Sequence, residues 1–430
     1  MLYFCILILL ALPVSAGAQV PLSIRSGEAP LSLRAALDEA MAGNPTLVAL
    51  RRQFETARLR PAQERFLMPP TFEAQIWQWP INTLNPLNTQ FMFTLNQELP
   101  GRGKRELRAA VVQKDAEMAS NDIAVQARDV INQIKRAYAV VYLNRKAIDV
   151  HQASVDLLRQ FADVSLIKYS AGRSSQQDVL KAVVEVSKLH EELVVFEEGA
   201  QLAAAELNTL LSRPPGAPVG PLQEPAERLL LAAAEDLQAQ ALRARPELRG
   251  AQLAVERGQA SLAVINADYK PDFVVGGGYM VMPKDRDAWT ASVGMTWPTA
   301  RWARGRLDAQ KAEATAAIEA SRAQAQAMES QVRLTVQQAY IRVKSAEQRA
   351  ALLRTSVIPQ SRQTLEVSRV AYQTDRGDLL ALIDNQRMVL DSQLEYYRAL
   401  SDLDQARADL EGAVGEDLAP DVTRSVDGSR

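Results

Sequence analysis

The apolar residues of this chain follow two spacings, and each spacing occurs in two separate regions. In short segments apolar and polar side chains alternate, which is typical of a β-strand with one solvated face, whereas in long segments apolar residues recur every three or four positions, which is typical of a helix. The alternating segments predict four strands, at about residues 71–79, 90–99, 272–281 and 289–297. The long segments predict two helical hairpins, at about residues 104–212 and 306–414.

The two regions have the same order of elements, and single residues recur between them at a nearly constant separation. Three matched pairs lie 201 to 203 residues apart: Pro45 and Pro246, Tyr138 and Tyr340, and Tyr169 and Tyr372. A period of this kind predicts a duplicated structural unit. We therefore expect a first repeat at 19–213, a linker at 214–234, a second repeat at 235–415 and a polar, disordered tail at 416–430. The two repeats can form separate domains or one elongated body.

Each predicted hairpin begins with a very long helix. No glycine or proline occurs between Lys104 and Ala171, so this helix can run for about 100 Å at 1.5 Å per residue. The matching segment, Arg306 to Arg376, is interrupted by Pro359. Apolar seams rich in alanine predict close coiled-coil packing: Ile123, Ala127, Val130, Ile134, Ala137 and Val141 in the first helix, and Val332, Val336, Ala339, Val343, Ala346 and Ala350 in the second. A hairpin of this length must project from a membrane rather than lie within it.

The four predicted strands each have one apolar and one polar face. In the first strand, for example, Phe72 and Ile76 lie opposite Glu73 and Gln75. The length of each strand suits a tilted membrane-spanning strand, and all five tryptophans lie in or beside the strands, as in the aromatic belt of a membrane protein. We therefore favour strands that face lipid over a soluble sheet packed on helices.

Membrane-spanning strands would require assembly. Beyond residue 20 no apolar run is long enough for a membrane-spanning helix, so a crossing would depend on the strands. Four strands cannot close a barrel, and an open sheet edge in hydrocarbon leaves backbone groups unpaired. Several chains must then contribute to one barrel, and a conducting pore calls for three or more of them.

The first 18 residues have the features of a secretory signal peptide. An apolar run from Leu2 to Leu12 is followed by small residues at 16–18, which predicts cleavage before Gln19. Because no lysine or arginine precedes the apolar run, an uncleaved anchor is the alternative. The only cysteine of the chain, Cys5, lies in this segment, so the mature chain would contain no thiol.

Charge and chemistry exclude several classes of function. The 49 basic and 51 acidic residues give a net charge of −2 without blocks of one sign, which gives no support to nucleic-acid binding. The only histidines, His151 and His190, are too few for a transition-metal cage, and no residue has the surroundings of a catalytic nucleophile. The glycines at 276–278 lie within a strand and do not form a phosphate-binding loop. We therefore predict no enzyme activity and no cofactor.

Three segments carry a resemblance to a known family. They are LSLRAALDEAMAGNP at 31–45, QELPGRGKR at 97–105 and GDLLALIDNQ at 377–386. In this order, within a duplicated chain, they resemble the TolC-type outer-membrane efflux factors from Leu31 to about Gly415. The segment at 97–105 looks most like the heavy-metal (cation) efflux branch of that family.

The resemblance implies a mainly α fold with a small membrane β part. Its duplicated helix, strand, strand and long helical hairpin unit would form an α-helical barrel, joined to a trimeric 12-stranded transmembrane β-barrel in the bacterial outer membrane. The implied partners of this homotrimer are outer-membrane lipid, a periplasmic membrane-fusion adaptor and an inner-membrane pump of the RND type. The implied function is the exit duct of a tripartite efflux system for metal cations or drugs. Alternatives are a periplasmic coiled-coil adaptor or scaffold and an outer-membrane component of type I protein secretion.

The resemblance also assigns roles to the turns at the hairpin tips. In the family, acidic side chains constrict the lower end of the channel; Asp384 matches one such position, whereas Ala381 stands at the other. The gate candidates are Asp384, Asp178, Arg376 and Asp375, for which solvated helix ends are the alternative interpretation. The adaptor-docking candidates are Tyr169, Gly172, Arg173, Ser174, Tyr372, Gly377 and Asp378, and the membrane-interface aromatics are Trp77, Trp79, Trp289 and Trp297.

Overall fold

The computed structural model describes residues 30–78, 89–224, 229–283 and 285–418. Helices contain 73% of the described residues, which confirms the mainly α class. The predicted signal peptide at 1–18, Trp79 and residues 419–430 of the predicted tail lie outside the described residues. Within the described ranges, no helix is both long enough and apolar enough to cross a membrane.

The first half of the chain contains five helices and two strands in its described part. They are α1 (Leu33–Gly43), α2 (Pro45–Ala57), α3 (Arg60–Arg65), β1 (Thr71–Gln78), β2 (Gln90–Leu99), α4 (Lys104–Ser170) and α5 (Gln176–Leu210). Local signals explain the helix starts. The Asn44 side chain accepts hydrogen bonds from the first turn of α2, and Pro45 occupies the first position of that helix, where its missing N–H carries no cost.

In the described part of the second half, two helices rather than three precede the strands, and a π-helical turn divides the long helix that follows them. The elements are α6 (Ala234–Ala244), α7 (Pro246–Asp268), β3 (Phe273–Val281), β4 (Ala288–Met295), α8 (Arg304–Leu352), a π-helical turn (Leu353–Val357), α9 (Ile358–Gln373) and α10 (Leu379–Val414). Pro359 does not stop the helix as the sequence suggests. A proline ring clashes with the carbonyl group four residues earlier, and the wider π turn before Pro359 accommodates it within a continuous helical path.

The predicted seams form the core of the helical part. Val332, Val336 and Val343 are fully buried in α8, and Ile134 and Val141 are fully buried in α4. Helix α4 packs against α5, α7 and α10, while α8 packs against α7 and α10. Small side chains along these seams let the helices approach closely, as the alanine content predicts.

The four strands form one antiparallel sheet in the order β1-β2-β3-β4, with β1 and β4 at its edges. The pairing aligns apolar residues across neighbouring strands on one face: Phe72 with Leu95; Phe93 with Tyr279 and Trp289; Val275 with Val293; and Leu99 with Phe273 and Met295. The opposite face carries aligned polar and small residues, including Thr94, Gly278 and Thr290.

The apolar face of the sheet is exposed in the single chain. Trp289 is 82% exposed, Val293 79% and Phe72 67%, so the described helices do not cover it. Trp297 follows β4 rather than ending it, and Trp77 lies at an irregularity in the pairing of β1 with β2. Both tryptophans are more than half exposed.

A buried lysine joins the strands to the helices. Lys104, the first residue of α4, is 2% exposed, and its Nζ lies 2.8 Å from a carboxylate oxygen of Asp272 and 3.6 Å from one of Asp268. The same Asp272 oxygen accepts a hydrogen bond of 2.6 Å from the backbone N–H of Gly101. A side chain at Gly101 would come within 2.7 Å of the Pro271 carbonyl oxygen, so glycine is needed there. The PGRGK sequence thus connects the two halves at the base of the sheet.

Candidate functional site

The two hairpin tips have the same backbone construction. After α4, the N–H of Arg173 bonds to the carbonyl of Lys168 and Gly172 has a positive φ of 72°. After α9, the N–H of Arg376 bonds to the carbonyl of Ala371 and Asp375 has a positive φ of 58°. Both patterns are Schellman motifs, which place one residue in the left-handed conformation after the helix.

Asp375 therefore occupies the position where the first tip has Gly172. The left-handed conformation is unfavourable for a residue with a Cβ, although aspartate tolerates it better than most. The carboxylate at this position makes contacts that glycine cannot make. Its Oδ1 lies 2.7 Å from Nζ of Lys168, and its Oδ2 lies 3.8 Å from a guanidinium nitrogen of Arg173.

Lys168 is the centre of the contact between the tips. Besides Asp375, its ammonium group donates to the carbonyl oxygen of Tyr372 and lies 4.1 Å from the centre of the Tyr372 ring. The side chain of Lys168 is only 16% exposed, so the ion pair is partly shielded from water. The hydrogen bond from Lys168, followed by its charge and that of Arg173, holds the pKa of Asp375 below its usual range.

Asp178 has a local role in the first tip. Its carboxylate accepts hydrogen bonds from the Ser175 N–H at 3.1 Å and the Ser174 hydroxyl at 3.0 Å, while the Ser175 hydroxyl accepts from the Asp178 N–H. This reciprocal arrangement is a capping box at the start of α5. Burial raises the pKa of Asp178, but the hydrogen bonds from Ser175 and Ser174 and the charge of Lys181 outweigh it and lower the pKa.

Within the described part of the single chain, no side-chain hydrogen bond or ion pair joins two of the four gate candidates. Asp384 and Arg376 are exposed, and in the described part of the chain neither forms an ion pair. The partners of Asp375 are Lys168 and Arg173 instead of Arg376. Asp378 precedes α10 without a side-chain capping bond. A side chain at Gly377 would approach the Tyr372 backbone nitrogen to 2.9 Å, which explains a glycine there.

Sequence reasoning missed Lys168, although it lies beside Tyr169, a docking candidate. Its signal was a basic residue in the last turn of α4, which usually indicates only a favourable interaction with the helix dipole. Tyr169 itself is 43% exposed, whereas Tyr372 is 6% exposed beneath Lys168. The two tips therefore present different surfaces.

Among the described residues, no group of three or more histidine, cysteine, aspartate or glutamate side chains is placed to hold a metal ion.

Comparison with known proteins gives matches over most of the chain. Residues 237–416 match the family described as "Outer membrane efflux protein". The chain is 21% identical over 402 residues to the cobalt-zinc-cadmium resistance protein CzcC of Cupriavidus metallidurans, covering 93% of each protein. The fold is similar to that of the outer-membrane channel OprN, with a TM-score of 0.75, 19% identity and 89% of each chain covered. It is also similar to CusC, with a TM-score of 0.74, 14% identity and coverage of 89% and 92%.

Proposed function

We propose that this chain is the exit duct of a tripartite efflux system, because residues 237–416 match the outer membrane efflux protein family and the similarity to CzcC extends over 93% of the chain. In this function the protein lies in the bacterial outer membrane, extends into the periplasm and conducts substrates passively to the exterior. The observation that carries the proposal is the exposed apolar face of the four-stranded sheet.

Exposure of that face decides between the duct and a soluble adaptor. A soluble protein rarely leaves a contiguous apolar face of this size in water, and a soluble sheet would pack it against helices. Here Trp289, Val293 and Phe72 are largely exposed in the single chain, while the polar residues share the other face. Lipid outside and water inside a barrel match this division, which supports the duct.

The sheet edges support assembly into a homotrimer. Strands β1 and β4 each contain eight residues and have one unpaired edge within the described chain. An unpaired edge in hydrocarbon costs several kcal/mol per backbone group, so β1 of one subunit would pair with β4 of the next. Three subunits would close a 12-stranded barrel wide enough to conduct. The 67 residues of α4, about 100 Å of helix, would continue this barrel as a helical tunnel across the periplasm.

The proposed partners meet the hairpin tips. The tips lie at the end of the hairpins farthest from the sheet, where a periplasmic membrane-fusion adaptor and an RND-type inner-membrane pump would dock. The first tip, with exposed Tyr169 and Arg173 and half-buried Ser174, offers the more open docking surface. For the cargo we propose metal cations, because the match to a cobalt-zinc-cadmium resistance protein extends over nearly the whole chain. These cations would pass through without being held.

The contact between the tips is the proposed lock of the resting state. Opening the lower end requires the second hairpin, α9 and α10, to move away from the first, and this movement must break the ion pair of Lys168 with Asp375. The same movement uncovers the ring of Tyr372, on which Lys168 rests. The lock thus combines a shielded ion pair with a cation–π contact.

Two experiments test the function and the lock separately. Density fractionation of the cell envelope should place the protein with the outer membrane, and recovery in the soluble periplasm would reject the duct. In planar bilayers, Lys168→Met should raise the conductance of the resting channel. Lys188→Met is the matched control, because among the described residues Lys188 forms its ion pair with Glu185 of its own helix and not with the second hairpin. A resting conductance that Lys168→Met leaves unchanged would reject the lock while leaving the duct intact.

A further inference from the structure

A histidine lies completely buried between the two helices of the first hairpin, about 25 Å along α4 from the tip contact at 1.5 Å per residue. Nδ1 of His151 lies 3.0 Å from the carbonyl oxygen of Ala147, one turn earlier in α4. Nε2 lies 3.1 Å from a carboxylate oxygen of Glu192 in α5. The ring of Phe196 packs against the imidazole, with the two ring centres 4.7 Å apart.

The two partners of His151 determine its protonation. A carbonyl oxygen only accepts, so Nδ1 must carry a hydrogen atom. A carboxylate also only accepts, so a hydrogen atom must lie between Nε2 and Glu192. Both contacts are hydrogen bonds at the same time when each ring nitrogen carries a hydrogen atom. The geometry is therefore that of a buried imidazolium paired with a carboxylate.

The second histidine shows the opposite arrangement. Nδ1 of His190 also lies near the carbonyl oxygen of the residue one turn earlier, Val186, at 2.8 Å. Its Nε2, however, lies 2.9 Å from a guanidinium nitrogen of Arg159, which only donates. In this geometry Nε2 of His190 accepts a hydrogen bond and carries no hydrogen atom. His190 is exposed, and it serves as the reference for buried His151.

The carboxylate that faces His151 also binds the second hairpin. Arg387 of α10 lies 3.3 Å from the other oxygen of Glu192 and 2.7 Å from Glu185. Glu185 is 8% exposed, so Arg387 provides the charge that a buried carboxylate requires. His151, Glu192 and Arg387 thus link α4, α5 and α10 in one layer.

Other charged groups face His151 from the same helices. An open cleft of about 500 Å³ beside the ring is lined by Glu191 and Glu192 from α5 and by Asp391, Glu395 and Arg398 from α10. Burial raises the pKa of Asp391. The charge of Arg387 lowers this pKa, and the charge of Glu192 raises it. With four carboxylate groups and one guanidinium in its lining, the cleft favours a positive charge on His151.

We propose that His151 and Glu192 form a proton-dependent clasp that holds α5 against α4 in the layer where Arg387 attaches α10. With the proton bound, the imidazolium and the carboxylate attract one another. When pH rises and the proton leaves, Nε2 and the carboxylate oxygen become two facing acceptors, and this layer of the first hairpin loosens. The clasp is tightest at low pH. It does not depend on the proposed function, because protonation and helix protection can be measured without conductance.

Histidine-selective ¹⁵N labelling tests the protonation directly. The full chain, reconstituted in lipid, contains only His151 and His190, and the His190→Gln variant assigns their signals. In a solid-state NMR pH series, His151 should keep two protonated ring nitrogens to a higher pH than His190 does. Glu192→Gln should remove this difference, whereas Glu191→Gln, which removes the adjacent carboxylate, should keep it. A wild-type His151 that loses its second ring proton no later than His190 would overturn the proposal.

Amide hydrogen exchange tests the clasp. After correction for the intrinsic pH dependence of exchange, peptides covering residues 186–196 of α5 should exchange about tenfold faster once His151 has lost its proton. The His151→Gln variant should lose this pH dependence, and His190→Gln should keep it. Equal pH dependence in the wild type and in His151→Gln would overturn the proposal even if His151 is charged.

Discussion

Removal of the buried ammonium group at the base of the sheet provides a quantitative test of how the two halves are joined. In Lys104→Met the apolar stem is kept, while the charge that lies between Asp272 and Asp268 is lost. Lys114→Met is the matched control. Lys114 lies on the same helix and also contacts two carboxylates, Glu117 and Glu256, each at 2.8 Å, but its side chain is 28% exposed instead of 2%.

The expected magnitudes follow from burial. Breaking a buried ion pair by removing one partner costs about 3–5 kcal/mol, because the remaining charge is left without compensation. The carboxylates of Asp272 and Asp268 are each 35% exposed and partly hydrated, which places Lys104→Met near the lower end, at about 3 kcal/mol. An exposed pair contributes about 0.2–1 kcal/mol, so Lys114→Met should cost less than about 1 kcal/mol.

Equilibrium urea unfolding of the reconstituted protein, followed by tryptophan fluorescence, measures the difference. Trp297 reports on this region, because the preceding residue, Thr296, bonds to the backbone of Asp272. Asp272→Asn should give an intermediate loss, since the amide oxygen can still accept from the Gly101 N–H. If Lys104→Met and Lys114→Met lose the same free energy of unfolding, burial of the ammonium group does not explain the PGRGK sequence.

Three further outcomes follow from single contacts. The pKa of Asp375 is lowered, so its ion pair with Lys168 stabilises the tips at every pH above the ordinary pKa of a carboxyl group. This stabilisation is lost as pH falls through the lowered pKa of Asp375, and resting conductance should rise only in that acidic range. Tyr138→Phe should lower the free energy of unfolding by about 1–2 kcal/mol, because the buried hydroxyl bonds to backbone carbonyl oxygens of the chain's first described segment and its linker. Burial raises the pKa of Tyr138 to about 12, so in thermal unfolding this contribution should persist through pH 9 and be lost as pH rises through that value. Gly415→Ala should lower the free energy of unfolding by about 1 kcal/mol or more in urea, since φ is 87° and the new Cβ would lie 3.0 Å from Arg245.

The elements of the fold that depend on local pattern were predictable from the sequence. The four strands begin and end within two residues of the predicted bounds, because alternation of apolar and polar residues defines them. The seam through Val332, Val336 and Val343 is buried as its spacing indicates. The helix start after Ser175 was predictable too, since serine is a preferred N-cap.

The contacts that form the candidate site were not predictable in the same way. Lys168 and Asp375 are 207 residues apart, and no local pattern specifies that an ammonium group and a carboxylate at this separation will meet. Likewise, His151 fits the apolar spacing of its helix, and that spacing gives no indication of its contacts with the Ala147 carbonyl and the Glu192 carboxylate. Pro359 indicated a break, because proline disrupts the hydrogen bonding of a regular α-helix at its own position. The π turn that accommodates this proline is formed by the preceding residues, Leu353–Val357, whose sequence does not indicate it.

The charged contacts along α4 also address a problem that its length creates. Many of the buried residues of this 67-residue helix are small alanine and valine side chains, whose burial changes little if a neighbouring helix slips by one heptad, so these side chains specify the register weakly. Lys104, His151 and Lys168 each require a carboxylate or carbonyl partner at one position on a different neighbour. A slip would leave shielded charges unpaired, which costs more than a displaced methyl group. These residues are distributed over about 95 Å of helix, and they therefore fix the alignment of α4 with the sheet base, with α5 and with the second tip at once.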